Sequence, residues 1–302
     1  MDVIFMGTPS YADEILKQLI NDSDINVVAV YTQPDKPVGR KKVLTPPPVK
    51  VTAQDYNIEV YQPNRLRDQE TIEELLKISC DYIIVAAYGQ ILPREILEHA
   101  PCINLHASIL PQYRGASPIQ QTLLNGDSKT GVTAMLMDEG LDTGDIIKIS
   151  EINVPDDEMV ATLFDRLTVV ASELTVDVLK NYKEYTPVKQ DESKATHCTK
   201  ITKAEGKVSF DKAEELYNKY RAFTPWPGIY LESGLKLKKI ALIDNSSNND
   251  AGKILEVKKE SIIVGCSQGR LEIFNVQPES KKEMNVIGYI NGKRIGVADT
   301  LS

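Results

Sequence analysis

The sequence predicts an α/β fold, a parallel sheet with helices on both faces, followed by a smaller all-β domain. Three observations carry this. Short β-branched apolar runs alternate with helix-length amphipathic segments through the first half, the pattern of βαβ units. Apolar content collapses over 189–206 (KQDESKATHCTKITKAEG), which divides the chain into residues 1–188, a linker at 189–206 and residues 207–302. Beyond 207 the apolar runs are short and punctuated by Gly, Asn and Ser, as in a small β-barrel.

The elements follow in order. DVIFMG (2–7) reads as a buried strand, and 11–21 has helical spacing with Ile15, Leu16, Leu19 and Ile20 inward. NVVAVYT (26–32) is the second strand, followed by a loop rich in Pro and basic residues, a helix near 49–56 and a short strand at 59–62. A helix over 70–79 precedes DYIIVAAYG (81–89), the clearest strand of the chain; a helix near 93–98 leads to CINLHAS (102–108). Residues 117–126 read as a helix, 132–138 and 145–152 as a strand pair, and 159–182 as a long amphipathic helix. After a helix at 211–222 the remainder reads as strands: GIYLE, KLKKIALI, GKILEVK, SIIVGC and RLEIFNVQP.

Length and composition bound the function. At 302 residues the chain has room for two domains, and 42% hydrophobic with 26% charged residues excludes a disordered protein. The net charge of −8 argues against a nucleic-acid partner until it is located. Residues 1–206 are net −11, whereas 207–302 are net +3, so an acidic body precedes a mildly basic third. The N-terminus has no basic stretch ahead of its short apolar run, and no segment approaches the roughly 18 apolar residues of a membrane span. Four widely spaced cysteines without a CxxC pair suit neither a disulfide framework nor structural zinc. A cytoplasmic protein with no membrane partner and no metal is expected.

Two candidate sites differ in sharpness. MGTPS after the first strand lacks the GxGxxG spacing and the acidic residue of a dinucleotide site. NAD and FAD are therefore not expected, and Gly7 reads as a tight turn at a sheet edge. Asn104, His106 and Ser108 alternate along a predicted strand end and should share one face. A buried parallel strand is normally apolar on both faces, so three polar groups there break the pattern where α/β sheets bind ligands. The plainer alternative is a core histidine with its hydrogen bonds met. The loop LPQYRGASPIQ (110–120) turns into a helix, and MDEGLDTGD (137–145) offers Asp138, Glu139, Asp142 and Asp145 around two glycines. The latter does not match an EF-hand; it is either a solvated acidic turn or the source of a carboxylate that meets His106.

Together these segments closely resemble the 10-formyltetrahydrofolate-dependent formyltransferases, whose hallmarks are an N-x-H strand, an SLLPxYRG loop and an LDTG turn. The chain reads N-L-H at 104–106, S-I-L-P-Q-Y-R-G at 108–115, with Ile109 for the usual Leu, and L-D-T-G at 141–144. FMGTP (5–9), TQPDKPVGR (32–40), VAAYGQILP (85–93), RGASPIQ (114–120) and RAFTPWPG (221–228) extend the match into the C-terminal third. The resemblance implies a Rossmann-like formyltransferase domain and a C-terminal OB-fold barrel. It implies 10-formyltetrahydrofolate as formyl donor and, as acceptor, the methionine α-amino group of initiator methionyl-tRNA.

By the same resemblance, the catalytic residues are Asn104, His106 and Asp142. Asn104 and a protonated His106 would hydrogen-bond the formyl oxygen as charge develops, while Asp142 holds His106 and helps to remove the amine proton. Ser108, Ile109, Leu110 and Pro111 would meet the folate, with the backbone of Val85, Ala86, Ala87, Tyr88 and Gly89 lining the pterin pocket. The loop 34–50 carries Arg40, Lys41 and Lys42 in succession; it would engage the acceptor end of the tRNA, although a basic loop is by composition alone usually just solvated. Lys236, Lys238, Lys239, Lys258 and Lys259 are further candidates for phosphate contacts, equally readable as solvent-facing strand positions. Trp226, between two prolines, reads as an interdomain packing anchor, and a monomer is the default. Two rivals stay open: a formyltransferase of an amino sugar-nucleotide, and a non-catalytic tRNA- or folate-binding module.

Overall fold

The computed structural model describes residues 1–39 and 41–301. In chain order the elements are β1 (Asp2–Gly7), α1 (Ser10–Ile20), β2 (Asn26–Tyr31), β3 (Lys36–Val38), β4 (Val43–Thr45), α2 (Pro48–Asp55), β5 (Val60–Tyr61), α3 (Gln69–Leu75), β6 (Tyr82–Ala86), α4 (Arg94–Leu97) and β7 (Cys102–His106). Then come β8 (Arg114–Gly115), α5 (Pro118–Asn125), β9 (Lys129–Leu136), β10 (Ile146–Asn153), α6 (Val160–Asn181) and β11 (His197–Cys198). The last third holds α7 (Ala213–Phe223), β12 (Ile229–Tyr230), β13 (Lys236–Asn248), β14 (Ile254–Val257), β15 (Ile262–Gly265), β16 (Gln268–Gln277), β17 (Met284–Asn285) and α8 (Val286–Lys293).

Seven strands form one sheet in the order β10-β9-β7-β6-β1-β2-β5. The five from β5 to β7 are parallel, and β9 and β10 extend it antiparallel. This is the Rossmann-like arrangement expected. Strand β6 sits at the centre with Ile83 and Ile84 both fully buried on opposite faces, which is why its sequence is apolar without alternation. One face packs Ile4, Met6, Tyr31, Ile83 and Val85 against Ile72 and Leu75 of α3 and Ile96 of α4. Burying such side chains contributes about 1.5–3 kcal/mol each.

The chain runs from β1 outward to β2 and β5, then returns to β6 on the other side of β1. The crevice beyond the carboxyl ends of β1 and β6 is thus the topological switch point where such sheets bind ligands. Gly7 closes β1 opposite Ala86 in this centre, and not at a sheet edge as the sequence suggested. A Cβ there would collide with Ala12 and the Phe5 ring, so glycine lets α1 approach the strand closely.

Contacts divide the chain into two compact units. The first comprises 1–118, 129–153 and 163–198; the second comprises 119–128, 154–162 and 199–302. Residues 189–198, poor in apolar side chains, are an ordered part of the first unit. In the second unit, β12-β13-β16-β15-β14 form one antiparallel path, with β17 on β16. β13 changes register four times against β16, bulges that bend a strand and increase its twist. Arg221 of α7 is buried and its guanidinium reaches toward the Pro155 and Glu158 carbonyls, and Gly126 packs against Asn218; the inserted pieces are therefore integral to this unit. The sequence reading missed α8, whose Val286, Tyr289 and Ile290 are buried at helical spacing and whose N-terminus is capped by Asn285. Its two glycines masked the pattern. No helix among the described residues is long and apolar enough to cross a membrane.

All four cysteines are free, and burial pushes their thiols up: Cys80 to about 11, Cys102 and Cys266 to about 12, and Cys198 upward as well. A raised thiol pKa means less thiolate, the reactive form, at neutral pH. Iodoacetamide at pH 8 should therefore modify fewer than one thiol per native chain on a timescale that modifies all four in denaturant, as read by intact mass.

Candidate active site

Asn104 and His106 lie two residues apart on β7, hence on one face, while Leu105 between them is buried. The ladder sets Asn104 between Val85 of β6 and Met135 of β9, and His106 opposite Thr133. His106 Nε2 lies 2.9 Å from the Tyr113 carbonyl oxygen. A carbonyl only accepts, so Nε2 carries a proton, and Nδ1 is the ring nitrogen left to face the site. It looks at Asp142 Oδ2 across 3.7 Å. Asn104 Nδ2 donates to Asp142 Oδ1 at 3.3 Å, and the Gly115 N–H donates to Asp142 Oδ2 at 2.8 Å. The His106 and Asp142 side chains are only 7% and 11% exposed, so the carboxylate is solvated chiefly by these groups. The three residues expected to be catalytic thus form one cluster.

Ser108 does not join that face. Strand β7 ends at His106, and the Ser108 hydroxyl turns back to the Gln112 carbonyl at 2.6 Å. Thr133 locks the loop by donating to the Ser108 carbonyl at 2.6 Å and accepting from the Leu110 N–H at 3.1 Å. The alternation expected over 104–108 fails because the chain leaves the sheet after 106.

The turn that carries Asp142 is built by its own side chains. Asp138 Oδ1 accepts from the Gly140 N–H at 3.0 Å and the Thr143 hydroxyl at 2.7 Å. Asp142 itself has φ +55, a left-handed conformation that non-glycine residues adopt only when held there.

The holding groups come from the segment 188–198, which sequence reasoning passed over. Val188 and Ile146 exchange backbone hydrogen bonds at 2.8 and 2.9 Å, tying this segment to the strand after the turn. Thr196 receives the Arg114 N–H at 2.9 Å and donates its own to the Pro111 carbonyl, and its hydroxyl accepts from the Tyr113 N–H at 2.9 Å. Cys198 pairs with Gly115 in the β8–β11 ladder, where a Cβ on Gly115 (φ +119) would run into the Cys198 carbonyl. Arg114, 2% exposed, is held by Gln190 and Glu192. That pairing raises the guanidinium pKa and lowers that of the Glu192 carboxyl. The buried cation in YRG was the signal that acceptors must lie nearby; nothing in composition said where.

The residues expected to meet folate divide by exposure. Val85, Ala86, Tyr88, Ser108 and Leu110 are buried, Ile109 and Pro111 are half-buried, and Ala87 and Gly89 are exposed with φ +45 and +82. These last two bend the chain at the carboxyl end of β6, beside the switch point. Ile91 and Leu141 are exposed apolar side chains on the two loops that Arg94 and Glu139 bridge at 4.0 Å. Among the tRNA candidates, Lys41 and Lys42 are exposed between β3 and β4, and Arg40 lies outside the described residues. The base of that loop is fixed by Lys50 and Gln62 on Asp35, at 2.9 and 2.8 Å. In the second unit, Lys258 is paired with Glu272 at 3.1 Å and Lys239 sits over the Phe274 ring. Trp226 is 59% exposed, which does not suit a packing anchor.

Known proteins agree with this architecture. Residues 1–179 match the formyl transferase family and residues 200–294 the formyl transferase C-terminal domain. A methionyl-tRNA formyltransferase of Sulfurimonas denitrificans is 66% identical over 302 residues, covering 100% of both chains. One from Nitratiruptor sp. is 52% identical, covering 99% of each. Among solved structures, an N-formyltransferase from Helicobacter canadensis in complex with folinic acid and dTDP-3-aminofucose superposes with a TM-score of 0.70 at 18% identity, over 91% of this chain and 99% of that one. The sugar 3N-formyltransferase WlaRD gives 0.67 at 19%, over 93% and 99%; both likenesses speak for the fold. The two full-length sequence relatives bear the name methionyl-tRNA formyltransferase, and with both of its domains matched the chain belongs to the formyl transferase family.

Proposed function

We propose that the chain transfers the formyl group of 10-formyltetrahydrofolate to the α-amino group of methionine on initiator methionyl-tRNA, giving N-formylmethionyl-tRNA for translation initiation in the cytoplasm. The observation that carries this is the Asn104–His106–Asp142 cluster at the carboxyl edge of the sheet, in a chain whose relatives match it end to end.

Each side chain has a role its geometry allows. The neutral amine adds to the formyl carbon and negative charge grows on the formyl oxygen. Collapse of this tetrahedral species breaks the bond to the folate nitrogen, which takes up one proton as it leaves while the attacking amine gives one up. Asn104 keeps a second amide N–H beyond the one given to Asp142, and His106 has Nδ1 facing the site because Tyr113 occupies Nε2. Asn104 can donate to that oxygen, and so can His106 Nδ1 when the ring carries its second proton as an imidazolium; one such donor is worth roughly 3 kcal/mol. The Asp142 carboxylate orients His106 and accepts the amine proton, directly or through water. The exposed backbone at Ala87 and Gly89, with the apolar Ile91 and Leu141 nearby, fits a planar heterocycle held by a few main-chain hydrogen bonds. Lys41 and Lys42, exposed between β3 and β4, suit phosphate contacts of the acceptor arm, and Arg40 precedes them in the sequence.

Ala at Asn104, His106 or Asp142 should lower kcat about a hundredfold or more in protein that thermal unfolding shows to be folded at the assay temperature. Near-normal turnover of Asp142→Ala would overturn the assignment. Offered charged initiator tRNA and a dTDP-amino sugar with 10-formyltetrahydrofolate, the protein should formylate the tRNA; product from the sugar alone would establish the sugar reading.

Replacing Arg40, Lys41 and Lys42 together by Ala should raise KM for methionyl-tRNA and leave KM for the folate unchanged. The slope of log(kcat/KM) against log[salt] should flatten by about 2 if all three meet phosphates. An unchanged slope would show that the loop is merely solvated. Truncation at 207 is a poorer test, since it leaves 119–128 and 154–162 without the elements they belong with.

A further inference from the structure

We infer that Gln190 is a positioning residue for the reaction: its side-chain amide holds the Asp142 turn and the Gly115 peptide in one closed ring of hydrogen bonds. The inference rests on the catalytic reading of Asp142 proposed for this chain.

Gln190 is 9% exposed and its amide is fully used. Oε1 accepts from Arg114 Nε at 3.0 Å and Nη2 at 2.8 Å; Nε2 donates to the carbonyls of Asp142 at 2.9 Å and Gly144 at 2.8 Å. The amide has a single orientation here, because a guanidinium only donates and carbonyls only accept. Starting at Gln190, the ring passes through the Asp142 backbone to its carboxylate, across the 2.8 Å bond to the Gly115 N–H, and back through Arg114. One side chain therefore fixes Asp142 at its backbone and fixes the peptide that grips its carboxylate. This accounts for Asp142 standing at φ +55 while reaching Asn104 at 3.3 Å and His106 at 3.7 Å. No other side chain does both jobs at this reach: Glu lacks the donors, Lys and Arg lack the acceptor, and Asn is one methylene short.

The two halves of the amide can be separated. Gln190→Glu keeps an acceptor for the buried Arg114 but sets oxygen against the two turn carbonyls; Gln190→Met removes both halves and leaves Arg114 to Glu192. A displacement of about 1 Å in a catalytic group costs up to about a hundredfold in rate. Gln190→Glu, measured as full-length protein in single-turnover formylation of methionyl-tRNA, should lose ten- to a hundredfold in kcat, with KM for both substrates within about twofold of the parent.

The decisive measurement is the double-mutant cycle with Asp142→Ala. In that background Gln190→Glu should cause no further loss, because the carboxylate it positions is gone. Gln190→Met should behave the same way, so the cycle can be run on whichever variant folds. The same fold-loss in both backgrounds, or unchanged kcat in Gln190→Glu, would overturn the inference while leaving Asp142 catalytic. High activity of Asp142→Ala alone would instead sink the underlying reading, and this inference with it.

Discussion

A carboxylate withdrawn from water constrains everything near the site. Asp142 is mostly buried, and an uncompensated buried charge costs several kcal/mol. Its partners are therefore structural requirements as well as chemical ones: the Asn104 amide, the Gly115 N–H and the His106 ring. The partners come from two pieces of chain, the strand β7 with Asn104 and His106 and the loop after it with Gly115, and Asp142 itself comes from a third, the turn 138–144. Packing alone would leave those pieces free to shift by an ångström; hydrogen bonds to one charged group do not.

This explains why a segment with few apolar residues is so firmly placed. Residues 188–198 bury almost no hydrocarbon, and by composition they read as a connector. They are ordered by directional bonds instead: Val188 to the start of β10, and Gln190, Glu192, Thr196 and Cys198 to the two loops that frame the carboxylate. Arg114 supplies the reason on the other side. A buried guanidinium needs acceptors for its fork of donors, and Gln190 and Glu192 provide them. Hydropathy measures the first kind of order and is blind to the second.

The same distinction separates what was legible in the sequence from what was not. The sheet was legible because burial on two faces writes a continuous apolar run, as in Tyr82–Ala86, and the helices because Ile15, Leu16 and Leu19 repeat at helical spacing. The cluster was legible because Asn104 and His106 break an apolar strand where ligands bind, and the resemblance supplied Asp142. Gln190 was illegible: its importance lies in four bonds to residues 46 to 76 positions away, and no local pattern encodes a partner at that distance. The extent of β7 failed for a related reason. Ser108 continues the polar alternation, but Thr133 captures its carbonyl and pulls the chain off the sheet.

Charge follows the same logic at larger scale. A net −8 looked unfavourable for a polyanionic partner, yet net charge averages over groups that never face the same ligand. Many of the acidic side chains are engaged within the fold: Asp35 with Lys50, Glu192 with Arg114, Asp177 with Lys148, Asp22 with Lys180. Such pairs are screened and contribute little beyond the Debye length of about 8 Å. Lys41 and Lys42 are instead exposed on a hairpin whose base is clamped by Asp35. The acidic residue that subtracts from the formal charge is thus the one that presents the cations. An acidic protein can meet a phosphate backbone when cations such as Lys41 and Lys42 stand together at an exposed site, because the ligand feels the local field within a Debye length and not the sum over the chain.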